Sequence, residues 1–81
     1  MVKKEIPQQE LVSIINQELT RLEECPGCRI NEINPLSAPD SEGCNWERPE
    51  IRCNDFVPGN SCSRAIDQVV AWARGHFELE L

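Results

Sequence analysis

The chain is 81 residues long, with 14 acidic against 8 basic residues for a formal net charge of −6, and is 40% hydrophobic with five cysteines. That length allows one small domain (1–81) whose apolar core only just offsets chain entropy, so a disulfide, a metal or a partner subunit would be a natural supplement. The charge argues against general nucleic-acid binding, because the basic residues are scattered from Lys3 to Arg74 and not clustered for phosphate neutralisation.

Residues 1–6 are expected to be flexible. MVKKEIPQQE has two lysines with no apolar run after them, and no later stretch is long and apolar enough to span a bilayer. The chain is therefore assigned to the cytoplasm, where cysteines are expected as thiols or metal ligands and not as a disulfide framework. Their odd number agrees.

Ile6 to Glu24 reads as the first helix. Pro7 suits its first turn, and Leu11, Val12, Ile15, Leu19 and Leu22 share a face at helical spacing. Pro26-Gly27 ends it. Cys28 to Leu36 reads as a strand, although Ile30 and Ile33 fall on opposite faces of a regular strand, so a bulge or an early end is expected. Ser37 to Cys44 is a polar loop in which Gly43 supplies any positive φ the turn needs. Asn45 to Cys53 alternates more cleanly: Pro49, Ile51 and Cys53 face the core, while Trp46, Arg48, Glu50 and Arg52 face away. Pro49, with no N–H to donate, points to an edge. After the loop Asn54 to Asn60, Ser61 is a plausible N-cap for a second helix reaching His76 or Phe77. Cys62, Ala65, Ile66, Val69, Val70, Trp72, Ala73, His76 and Phe77 share its apolar side. The predicted fold class is α+β: an α-β-β-α single domain with two helices packed on one face of a small antiparallel hairpin.

The runs IINQEL, CPGC, DSEGCNW, RC and AWARGHFEL together resemble a group of small proteobacterial and phage-type proteins of unknown function, from about Leu11 to Leu81. The D-x-x-G-C-N-W run with its flanking thiols is the most specific part. The resemblance implies a bacterial cytoplasmic setting; it carries no activity and transfers no catalytic or binding residue.

Cys25-Pro26-Gly27-Cys28 is the strongest chemical signal, since two thiols at this spacing can share one metal. A redox role fits poorly, because the motif follows a helix instead of opening one. Cys44 and Cys53 flank the second strand, roughly 30 Å apart if it is extended at about 3.3 Å per residue, so they cannot share an ion. In a hairpin Cys53 returns toward Cys28, and Cys62 opens the next helix. The four-thiolate set is thus Cys25, Cys28, Cys53 and Cys62, with Cys44 left out at the far end. Against it stands the simpler reading of buried thiols or a single oxidised pair. No cofactor is the primary expectation and zinc the alternative.

His76 reads as a packed or capping histidine, and no nucleophile, phosphate loop or paired carboxylates stand out, so an enzyme is not expected. The outer face carrying Trp46, Arg48 and Arg52 is the candidate binding site, for a protein partner, because Trp beside Arg is common anchor chemistry at interfaces. The reading is a small non-enzymatic interaction protein. Its alternatives are a zinc-stabilised module and an acidic phage-type protein that occupies a basic, nucleic-acid-binding surface. A monomer is favoured over a homodimer paired through first strands, since −6 on each subunit opposes association.

Overall fold

Pro7 holds φ −63° and ψ 153°, and its carbonyl accepts the first helical hydrogen bond from the Leu11 N–H at 3.1 Å. A chain entering at that fixed angle is ready to coil. In the structure, a computed structural model describing residues 3–24, 27–41, 43–53 and 60–80 (of Asn60 the backbone alone), helix α1 spans Gln8–Thr20. Leu11, Ile15 and Leu19, four apart, form its buried line. The helix stops short of Glu24: Arg21 N–H bonds back to Glu18 and Leu22 N–H to Leu19, the tightened i→i−3 pattern of a closing turn.

The other long element is α2, Asn60–His76. Cys62, Ala65, Ile66, Val70 and Ala73 are buried along it, while Trp72 and His76, expected on the apolar side, are exposed. Trp72 lies on the row Gln68–Trp72–His76, at the margin of the stripe.

Between the helices, β2 (Cys28–Arg29) pairs antiparallel with β3 (Arg52–Cys53), Cys28 opposite Cys53 and Arg29 opposite Arg52. The far end of this hairpin is closed by a bridge between Pro35 and Trp46, flanked by Leu36 N–H to Asn45 O at 2.7 Å and Glu47 N–H to Asn34 O at 3.1 Å. The two predicted strands, Cys28–Leu36 and Asn45–Cys53, thus pair at their ends and leave the ladder between. Burial gives the reason. Ile30 and Ile33 are each 1% exposed, and Trp46 and Pro49 are both buried; residues three apart cannot share a face of a regular strand.

A second pairing joins the two ends of the chain. β1, Lys4–Ile6, runs parallel to β4, Phe77–Leu79, in register Lys4↔Phe77, Glu5↔Glu78 and Ile6↔Leu79, and Glu80 N–H extends it to Ile6 O at 2.8 Å. This corrects the expectation that residues 1–6 are flexible as far as Lys4–Ile6 is concerned. Ile6 and Leu79 are buried opposite each other and drive the pairing. α2 passes into β4 with no intervening loop.

The fold is α+β, two helices with the α-β-β-α order and the terminal strand pair added. α1 packs on β2, on α2 and on β4. One core gathers Ile6, Leu11, Ile15, Leu19, Ile30, Ile33, Cys44, Trp46, Ile66, Val70 and Leu79 among others. Among the described residues no helix is long and apolar enough to cross a membrane.

Candidate functional site

The DSEGCNW run is a clamp. Asp40 N–H bonds Cys44 O at 3.0 Å, Gly43 N–H bonds Asp40 O at 2.9 Å, and Cys44 N–H reaches the Asp40 carboxylate at 3.1 Å. Gly43 has φ +75°, a conformation that favours glycine. The other carboxylate oxygen of Asp40 pairs with the guanidinium of Arg74 on α2. That guanidinium lies 5.9 Å from the centroid of the Trp46 ring. Burial pulls the Arg74 pKa down, but hydrogen bonds and charge from Cys44 and Asp40 outweigh it, and the group ends above its ordinary value.

Asn45 and Trp46 grip β4. The Asn45 amide donates to Leu79 O at 3.0 Å and accepts from Leu79 N–H at 2.8 Å; the Trp46 indole donates to Phe77 O at 3.1 Å. Polar groups of successive strand residues point to opposite edges, and Glu80 N–H faces β1. Phe77 O and Leu79 therefore face the other edge, where these two side chains act as a surrogate third strand. Asn16 of α1 does the same for Ile30, donating to its carbonyl at 3.0 Å and accepting its N–H at 2.7 Å.

The predicted binding face needs correction at its centre. Trp46 is fully buried, not outward-facing. It sits at an isolated bridge where strand alternation has lapsed, and inward it finds both an apolar shell and a carbonyl for its N–H. Arg48 and Arg52 are exposed as expected, each beside an acid of its own: Arg48 Nη1 lies 2.5 Å from Asp67 Oδ1 on α2, and Arg52 Nε lies 3.8 Å from Glu50 Oε1. A small polar pocket of about 80 Å³ beside Arg52 is lined by Asn31, Glu32, Asn34, Glu50 and Arg52.

The hairpin brings Cys53 back to Cys28, as its register requires, and the two are joined by a disulfide. Cys62 is also disulfide-bonded, while Cys44 is a buried free thiol at the opposite end of the hairpin. Cys25 of the proposed four-thiolate set lies outside the described residues. In the oxidised form Cys28 and Cys53 have no thiolate to offer a metal. His76 is exposed and its Nδ1 meets the Trp72 carbonyl at 2.8 Å, a capping contact at the end of α2.

The feature sequence reasoning missed is a groove of about 330 Å³ between the two helices, lined by Glu18, Leu22, Ala65, Gln68, Val69 and Trp72. Trp72 is 40% exposed, and among the described residues no other large hydrophobic side chain is exposed. Its ring is fixed by Phe77, edge-on at 5.7 Å, and by His76 at 5.5 Å. Helical spacing assigned Trp72 to the core; the polar Gln68 and His76 one turn either side were the signal that the row reaches the surface. No protein-family model, curated protein or solved structure matches this chain.

Proposed function

We propose that this chain is a small non-enzymatic interaction protein that binds a protein partner through the α1–α2 groove, with Trp72 as the anchor. One observation carries the reading: a large aromatic side chain stands exposed over an apolar cleft and is held in place by two neighbouring rings. Tryptophan in such a setting is the commonest kind of interface hot spot, and a ring already held loses little rotamer freedom on binding. The polar residues that would supply chemistry are engaged in holding the fold together: Asp40 and Arg74 with each other, Asn45 with the backbone of β4, His76 with its own helix. The binding role passes from Trp46 to Trp72, and Arg48 and Arg52 have no part in it.

The test is capture from a cell lysate with wild type and Trp72→Ala, followed by reconstitution with the purified partner. A partner lost by Trp72→Ala at unchanged melting temperature supports the reading; identical partner sets refute it.

A second reading has an observation of its own. The hairpin register sets Cys28 beside Cys53, as a zinc-stabilised set of Cys25, Cys28, Cys53 and Cys62 requires. Zinc and disulfide compete for the same sulfurs, so the choice is also one of compartment: thiolates on zinc belong to a reducing cytoplasm, the disulfide to an oxidising space. Native mass spectrometry of protein prepared in reductant with equimolar zinc discriminates. One zinc bound, and lost with the fold on acidification, favours the metal module; metal-free protein that melts cooperatively removes it.

A further inference from the structure

We infer that the segment this groove accepts is a basic amphipathic helix presented by another protein, its apolar side chains seated over Leu22, Val69 and Trp72 and its Lys or Arg side chains lying toward Glu18; the inference rests on the protein-binding reading above.

The helical form follows from what the groove can offer. Its lining comes from α1 with the turn after it and from α2, where backbone donors and acceptors bond mostly within their own helices. An extended peptide would meet no strand edge here, and its own N–H and C=O groups would lose water without gaining partners. A helix arrives with those groups already satisfied. From Ala65 to Trp72 the groove follows α2 for about two turns, roughly 10 Å at 1.5 Å per residue, which suits anchors at i, i+3 or i+4, and i+7.

The sign of the partner's charge follows from the acids. Glu18 lines the groove, and Glu23 and Glu24, both exposed, directly follow Leu22 in the chain. The bases nearest the lining in sequence are Arg21, exposed and in a 3.4 Å pair with Glu18, and Arg64, exposed and next to Ala65; against these two the three acids remain in excess. The chain as a whole carries −6. A second copy, a nucleic acid or an anionic lipid surface would be repelled, whereas a basic helix is steered in and can lay a cation on the open face of Trp72.

Three synthetic helices with one shared apolar face and Lys-rich, Gln-rich or Glu-rich polar faces test this. Each is titrated into the isotope-labelled full chain while amide and indole NMR signals are followed. The Lys-rich helix should shift Glu18, Leu22, Val69 and the Trp72 indole, and leave the indole of buried Trp46 in place as a folding control. Trp72→Ala should weaken it by about thirtyfold, the scale of a hot-spot truncation. Glu18→Gln should weaken it roughly two- to fivefold and flatten the salt dependence, as for an exposed charge pair. Equal binding by the Glu-rich or Gln-rich helix overturns the charge assignment. If no helix shifts the groove while the lysate partner remains Trp72-dependent, the helical basic partner is wrong and the protein-binding reading stands. Loss of that Trp72 dependence removes the reading itself.

Discussion

Replacing both Cys28 and Cys53 by alanine tests the one covalent tie described across the hairpin. The two are separated by 25 positions in the chain. Closing a loop of about 25 residues removes roughly 12 cal/mol/K from the unfolded ensemble, or about 3.5 kcal/mol at 25 °C. For a domain of this size each kcal/mol moves the melting temperature by about 4–8 °C, so the double variant should melt roughly 15–25 °C below wild type. That is a large share of the 5–15 kcal/mol typical of a whole domain. If the sulfurs were merely packed thiols, their truncation would cost about 1 kcal/mol, or about 4–8 °C. Circular-dichroism melts of both proteins, with and without phosphine reductant, separate the cases. Reductant also opens the disulfide at Cys62, so the oxidised double variant is the sample that isolates the Cys28–Cys53 bond. A variant that melts within about 8 °C of oxidised wild type would refute the cross-hairpin bond.

Trp46→Phe keeps most of the buried ring but orphans the Phe77 carbonyl, and should lower stability by about 1–3 kcal/mol in urea titration. Asn45→Ala removes both bonds to Leu79 and should cost about 2 kcal/mol, with faster hydrogen exchange at the Leu79 amide as its local signature. Asn45→Asp should be worse than Asn45→Gly, because a carboxylate keeps the bond from the Leu79 N–H but faces the Leu79 carbonyl with charge; urea midpoints of the two variants check the order. Arg48→Ala breaks only an exposed pair with Asp67 and should stay within about 1 kcal/mol of wild type, with unchanged binding to any Trp72-dependent partner.

Both helices were legible because each carries several buried residues at one period: Leu11, Ile15 and Leu19 in α1, and Cys62, Ile66, Val70 and Ala73 in α2. The hairpin was legible as a topology, since Cys53 had to return to Cys28, but not as continuous strands. The conflict at Ile30 and Ile33 was already visible and marked where the ladder opens. The β1–β4 pair was invisible for a different reason. Each strand has three residues and buries one of them, Ile6 or Leu79, too few for alternation to register. Its pairing runs from Lys4 to Phe77, a contact between chain ends that no local pattern encodes.

The two tryptophans exchanged places between expectation and structure, and the exchange has one cause. Period alone assigned Trp46 outward and Trp72 inward, yet period governs a side chain only while its residue stays within a continuous ladder or at the centre of a stripe. Trp46 sits at an isolated bridge and Trp72 at a stripe's margin, so each is placed instead by what can receive it. For Trp46 the receiver is the edge of β4 left open by β1, where Phe77 offers a carbonyl and Leu79 offers both of its polar groups to the neighbouring Asn45. A strand edge with unpaired groups is a liability in a small domain, and Asn-Trp covers it without a third strand. Asp, Gly and Asn gathered in one short run are residues whose side chains or torsions serve nearby backbone. Read that way, DSEGCNW describes the device that fastens the second loop to the α2–β4 corner through Asp40, Asn45 and Trp46. Fastening that corner also holds Phe77 against Trp72. The run therefore acts on the proposed binding surface at one remove, by fixing the ring that stands behind the anchor.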